Sequence, residues 1–391
     1  MILAIIALTS SNSGGYQYGL LPPQGSRTIQ FTTPLVVNCG NAVSRLLCLP
    51  GLPLRQAGDE KNARMLRIGL NPYGIAYAVG LVGNDTPRRN PNPLGLDGFV
   101  AVAESIGARS IEIHAEHLFA QSRSALERLR NRLLEKGTIV VVSLGPPMEG
   151  LDKAVVSACS LGAKVIRVGL TEVLCGDRGL LGPGWYKLVQ AVRTTLNERS
   201  RQAADLGIVL AIENHQDFGS QELLELAGEA GSNVGICFDT GNPLAVGEEP
   251  LSFARNVAHQ VRHVHLKDYR AQWTDEGYRL VRCAIGEGSI PFSEIARILG
   301  EHHLDLTASI EIGALDARHI RLFKPAWWQG YGPRAAAELG PCLAAARKRY
   351  LAETIDSRTP WESGASGAEV VDYEIGQLHR SVSNLKALGL I

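Results

Sequence analysis

From Met65 onward the chain repeats one pattern eight times: a run of five to seven β-favouring residues, then a stretch of helical period. The strand runs are Arg67 to Asn71, Ser110 to His114, Thr138 to Ser143, Lys164 to Gly169, Gly207 to Glu213, Val234 to Asp239, His263 to Lys267 and Ala308 to Gly313. Helical stretches follow at Leu96 to Ile106, Ser122 to Glu135, Leu151 to Leu161, Trp185 to Ala204, Gln221 to Ala230, Pro250 to Gln260, Phe292 to Leu299 and Arg334 to Leu351. Several of them close on a glycine just before the next strand (Gly107, Gly162, Gly207), as left-handed caps do. Strict alternation of this kind needs a parallel sheet with right-handed crossovers. Eight units favour closure into a (β/α)8 TIM barrel, class α/β, over an open sheet. Neither GxGxxG after the first strand nor GxxxxGK[ST] occurs, so the nucleotide-binding folds lose their usual marker.

The ends of the chain differ from this middle. Residues 1 to 54 contain no Asp or Glu and only two basic residues, Arg27 and Arg45. The opening MILAIIALTS is apolar but lacks the positive flank of a secretory signal. Residues 1–64 therefore read either as a disordered extension or as sequence upstream of a true start at Met65. The barrel is expected over 65–356, and 357–391 as a linker and a C-terminal helix. In that helix, Glu369 to Leu388, the residues Val371, Ile375, Leu378, Val382 and Leu385 form one stripe. It packs on the barrel's own helices or, alternatively, makes a homo-oligomer contact.

Charge and cysteine usage exclude several functions. Lys plus Arg number 39 and Asp plus Glu 39, with no basic block, which argues against nucleic acid or an anionic membrane surface as partner. No run of about 18 apolar residues offers a membrane span. Seven scattered Cys without CxxC pairing fit free thiols in a reducing compartment, hence a cytoplasmic location.

Catalytic groups of a parallel barrel sit at the C-terminal ends of its strands. Those ends carry Glu213, Asp239, His265 and Glu311 on strands five to eight. Period-two alternation turns all four inward. Three carboxylates at one point repel strongly and need a cation to coexist. Oxygen ligands with one imidazole suit one divalent ion: Mn²⁺, Mg²⁺ or Co²⁺.

The motifs around these residues are IENH (Ile212 to His215), CFDTGN (Cys237 to Asn242), HVHLKD (His263 to Asp268), GEGSIP (Gly286 to Pro291) and SIEIG (Ser309 to Gly313). Together they resemble the xylose isomerase-like barrel superfamily, with its ketose 3-epimerases, inosose-pathway isomerases and dehydratases, and related lyases. The resemblance implies that Glu213, Asp239, His265 and Glu311 hold a divalent metal. It also implies that Glu213 and Glu311 move the proton, on opposite faces of the substrate. One departure stands out: Asn242 occupies the position three after Asp239 where those epimerases carry a substrate-binding His.

A metal that chelates a ketone and its neighbouring hydroxyl stabilises the enolate left when an α-proton or CO₂ departs. Around the mouth, Lys267 shares the inward face with His265, and Arg270, Arg279 and Arg282 lie in the stretch Tyr269 to Cys283. With Arg167 they would suit a substrate carboxylate or phosphate. His114, two after Glu112, and His215, two after Glu213, are further candidate pocket residues. Trp327, Trp328 and Tyr331 either wall the substrate or pack between the last loop and the rim. The run ENHQD, CFDTGN, HLKDYR and YRLVRC resembles the 3-oxo-isoapionate decarboxylases. The expectation is a metal-dependent decarboxylase of a small sugar acid, with a sugar isomerase or 3-epimerase as the alternative.

Overall fold

The computed structural model describes residues 66–313 and 315–391; the extension read for residues 1–64 lies outside the described residues. Eight parallel strands close into a barrel: β1 (Arg67–Leu70), β2 (Ser110–His114), β3 (Ile139–Leu144), β4 (Val165–Val168), β5 (Val209–Glu213), β6 (Val234–Asp239), β7 (Val261–Leu266) and β10 (Thr307–Ile310). They neighbour one another in chain order, and β10 seals the ring between β7 and β1. Between them lie β8 (Asp268–Thr274) and β9 (Gly277–Cys283), an antiparallel hairpin that pairs with β11 (Arg318–Ile320) to form a second, three-stranded sheet. The stretch expected at the mouth as arginine-bearing sequence, Tyr269 to Cys283, is the hairpin of this sheet.

Alternation along the barrel strands sorts two kinds of side chain. Ile111, Ile113, Val140, Val142, Ile166, Val168, Leu210, Ile212, Ile236 and Phe238 are buried in the hydrophobic core, as strands covered by helices require. The intervening residues meet inside the barrel and many are polar: Glu112, Arg167, Glu213, His263 and His265 touch one another across it. Register fixes this face, because Glu213 pairs with Cys237, Cys237 with His263, and Asp239 with His265. A slip of one residue would send the charges into the helix layer.

The helices are shaped by the same economy. Phe292–Gly300 buries Phe292, Ile295, Ile298 and Leu299, one stripe at helical spacing. Each such side chain stabilises the fold by roughly 1.5–3 kcal/mol through burial. Ser122 caps Arg123–Glu135 by accepting from Ala125 N, and Gly162 (φ 76°) closes Leu151–Leu161 in the left-handed region. Two expected helices are shorter than their sequence pattern. One runs Pro250–Val257 and tightens into a 3-10 turn over Ala258–Gln260; the other is Ala336–Arg347.

The C-terminal helix, Gly367–Ala387, lies against the rest of the chain. Leu378, Val382 and Leu385 are buried, with Val371 and Ile375 partly so. Glu374 accepts from the backbone N–H of Tyr77 (3.0 Å) and Ala78 (2.9 Å), and Ile285 bonds to both Ser381 and Asn384. The preceding segment is also tied down: Glu362 accepts from Arg279 at 2.8 Å, and the Arg88 guanidinium lies 3.8 Å above Trp361. No helix among the described residues is long and apolar enough to cross a membrane.

Candidate active site

Glu213 ends β5, Asp239 ends β6, His265 lies one residue before the end of β7, and Glu311 follows β10 directly. All four are buried, and each offers a ligand atom within 4.8 Å of the others. His265 Nδ1 lies 2.5 Å from Glu311 Oε2 and 3.2 Å from Glu213 Oε1. Lys267 Nζ bridges Asp239 Oδ2 (2.6 Å) and Glu311 Oε1 (2.8 Å). Oxygens Glu213 Oε2, Asp239 Oδ2 and Glu311 Oε2 make no properly directed hydrogen bond despite full burial. Buried acceptors left this way are costly unless something else meets them. Three convergent carboxylates and one imidazole, with buried oxygens met by side-chain cations rather than by directed hydrogen bonds, fit a hard divalent cation.

The backbone under the quartet is held by its neighbours. Asn214 accepts from Asp239 N (2.6 Å) and donates to Asp239 O (2.9 Å), while Asp239 Oδ1 accepts from Gly241 N and Asn242 N. One carboxylate oxygen is thereby fixed and the other faces the barrel axis. Burial pushes the Asp239 carboxyl above its ordinary range even with Lys267 beside it. Glu311 is shifted the other way: the His265 and Lys267 charges outweigh its desolvation and hold it ionised.

Below the quartet lies a second polar group. Glu112 Oε2 is 2.7 Å from His265 Nε2 and 3.0 Å from His263 Nε2, and His263 Nδ1 is 2.7 Å from Thr307 Oγ1. Arg167 Nε lies 3.4 Å from Glu112 and 3.5 Å from Glu213. A carboxylate on the far nitrogen of His265 orients the ring so that Nδ1 points to the quartet. Burial would depress the Arg167 guanidinium, but Glu213 and Glu112 hold it protonated.

Above the quartet opens a cavity of about 450 Å³, walled by Tyr73, His114, Glu116, Arg167, Glu172, Glu213, His215, Gln216, Lys267, Arg282, Glu311 and Arg318, among others. Desolvation pushes both His114 and His215 down to about 4, so each ring is neutral at pH 7.

This closed parallel barrel, with its acidic quartet at the strand ends, can be set against known proteins. The family model for the xylose isomerase-like TIM barrel matches residues 100–323. The chain belongs to that family. Within it, this xylose isomerase-like barrel is 31% identical over 131 residues to an inosose dehydratase of Clostridium botulinum (strain Alaska E43 / Type E3), covering 30% of this chain and 44% of that protein. A second inosose dehydratase, from Clostridium beijerinckii, matches at 31% over 171 residues, 37% of this chain and 56% of its own length. The chain thus spans about half the length of these relatives. A 3-oxo-isoapionate decarboxylase of Pectobacterium atrosepticum matches more broadly, 22% identical over 253 residues, 63% of this chain and 85% of that one. The structure of D-psicose 3-epimerase from Clostridium cellulolyticum H10 shares the fold at 12% identity and a TM-score of 0.50, covering 81% of this chain and 98% of that chain.

The xylose isomerase-like barrel brings most of the residues singled out in its sequence to one place. Glu213, Asp239, His265, Glu311, Arg167 and Lys267 meet, with His114 and His215 on the cavity wall. Arg270 does not join them. In the β8–β9 hairpin Arg270 pairs with Val281 and Gln272 with Arg279, which puts these residues on the face opposite to Tyr269 and Arg282. Arg270 instead donates to the Glu287 carbonyl (3.0 Å), and Arg279 bonds Glu362. Asn242 is buried beside the quartet, accepting from Gln216 (3.2 Å) and Tyr269 (3.4 Å), and stays off the cavity wall. Trp327 and Tyr331 donate to Cys175 O and Gly176 O and pack as a rim cluster.

Four residues were missed as site residues: Glu112, His263, Tyr73 and Arg318. The first two carried a signal, since His263 is two before His265 and Glu112 two before His114, hence on the same faces. Tyr73 and Arg318 carried none, because loop conformation and a long-range strand pairing place them.

Proposed function

We propose that the chain performs divalent-metal-dependent enolate chemistry on a small keto sugar or sugar acid, and specifically the decarboxylation of a 3-oxo sugar acid of the 3-oxo-isoapionate type. The observation that carries this reading is the convergence of Glu213, Asp239, His265 and Glu311 in one buried group, which reaches the cavity through Glu213 and Glu311. These four would hold the ion, Mn²⁺, Mg²⁺ or Co²⁺ by their donor set. When bound, a divalent cation supplies electrophilic stabilisation to negative charge developing on a substrate oxygen.

The remaining work falls to the chain. Glu112 holds the His265 ring in one orientation, and Arg167 neutralises Glu112 and Glu213. Lys267, protonated between Asp239 and Glu311, lies where it can donate to a substrate oxygen or to the carbon left when CO₂ departs. In that step the carbon–carbon bond breaks, its electron pair enters the enolate, and one proton from solvent, relayed by Lys267 or Glu311, completes the product. The broad match to the decarboxylase relative supports this choice.

A metal-dependent sugar isomerase or 3-epimerase is the second reading. Glu213 and Glu311 approach His265 Nδ1 from two strands that are not neighbours in the barrel, the arrangement a two-sided proton transfer needs. Against it stands Asn242, buried and off the cavity wall at the position where the resemblance leads one to expect a substrate-binding His. Incubation of 3-oxo sugar acids and keto sugars in D₂O with Mn²⁺ separates the two. Release of CO₂ with one deuterium incorporated per product is the expected result. Deuterium exchange without CO₂ would transfer the assignment to the isomerase.

A further inference from the structure

The small sheet over the barrel mouth has two unlike faces. Tyr269, Ala271, Tyr278, Leu280 and Ile320 are buried on one of them. Pairing puts Arg282 opposite Tyr269 and Arg318 opposite Leu280, so both arginines belong to this inner face. Both line the cavity above the quartet.

Their surroundings differ from those of the other cavity cations. Arg167 and Lys267 each lie against two carboxylates. Among the described residues no carboxylate stands within ion-pair distance of Arg282 or Arg318, although Glu116, Glu172 and Asp316 line the same cavity. Arg282 donates once, to the Asp316 carbonyl at 3.1 Å, and its guanidinium sits 5.7 Å from the Tyr269 ring. The Nε–H of each arginine is buried with no hydrogen-bond partner. Two like charges on one wall with unmet donors are unfavourable unless an anion comes between them. Planar guanidinium forks match a carboxylate or a phosphate.

We propose that Arg282 and Arg318 form an anion subsite, which takes the carboxylate or phosphate of the substrate while its keto end faces the acidic quartet. The inference rests on the keto-sugar reading only for placing both groups on one molecule. Desolvation and the Arg282 charge lower the proton affinity of Arg318, a shift that an anion bound between the two would oppose.

The test uses the full chain stripped of metal by chelator, with inorganic phosphate and malonate as separate probes followed by titration calorimetry. Arg318→Gln and Arg282→Gln should each weaken the better-bound probe about tenfold or more, the loss of a charge-assisted hydrogen bond. Arg318→Lys, which keeps the charge and fold but loses the fork, should fall between. Arg279→Gln, on the outer face, should bind as the wild type does. Tighter malonate binding identifies a carboxylate ligand and tighter phosphate binding a phosphoryl group. Unchanged binding in folded Arg282→Gln and Arg318→Gln, or in Arg318→Lys where those fail to fold, overturns the subsite. Metal is absent throughout, so that failure is distinct from failure of the metal-dependent reading.

Discussion

Asp239 and Asp268 stand 29 positions apart, at the end of β6 and the start of β8, both fully buried, and differ in what meets their oxygens. Asp268 accepts from four backbone N–H groups: Tyr269 (2.9 Å), Gly286 (2.9 Å), Gly288 (2.8 Å) and Ile290 (3.1 Å). It ties β8 to the 286–290 loop, and only a glycine fits at Gly288, where a Cβ would collide with the Asp268 carboxylate. Glu374 is met likewise by two backbone N–H groups. In the quartet only Asp239 Oδ1 is met by backbone N–H groups; Asp239 Oδ2, Glu213 Oε2 and Glu311 Oε2 lie against Lys267, Arg167 and His265 without a directed hydrogen bond. Identical chemistry at equal burial thus serves two ends. Acids saturated by backbone hold the fold, and acids that converge on one another and on side-chain cations are, on the proposed reading, those that take a ligand.

The comparison can be broken at either end. Glu311→Gln should lower turnover about a thousandfold, the scale of a lost proton-transfer group, with a thermal midpoint close to wild type. A large loss of stability would place Glu311 with the structural acids. Asp268→Ala should do the reverse. Four orphaned N–H groups should cost about 3 kcal/mol or more in denaturant unfolding, while metal affinity of the folded fraction is kept.

The smallest effect concerns pH. Burial raises the Glu374 carboxyl to about 7 from its ordinary 4.5. The folded state therefore keeps a proton that the unfolded chain loses, so this contribution is complete below about pH 4.5 and vanishes as pH rises through about 7. Glu374→Gln should flatten part of the decline in thermal midpoint between pH 5 and pH 8. A parallel decline in both proteins would mean that Glu374 is ionised in the fold. Asp217, raised to about 7, and Asp268, raised to about 6, titrate in the same range and leave a residual slope.

The barrel was legible because period-two and helical patterns alternate from Arg67 to Ile310, broken only by the β8–β9 hairpin, and each barrel strand starts within two residues of its expected run. The quartet was legible because strand ends and alternation fix both depth and direction. What escaped was set by contacts distant in sequence. Arg318 reaches the cavity only because β11 pairs with β9, and Arg270 leaves it because hairpin register turns it to Glu287. Reading Tyr269 to Cys283 as a hairpin would have sorted its arginines into two faces from alternation alone.

The central claim is that Glu213, Asp239, His265 and Glu311 hold one divalent ion. Calorimetric titration of the chelator-treated protein with Mn²⁺, alongside Glu311→Gln and Asp239→Asn, tests it directly. One equivalent bound by the wild type, with affinity lost in both variants while their folds persist, is the predicted result. Equal binding by all three proteins, or none by the folded wild type, would contradict it.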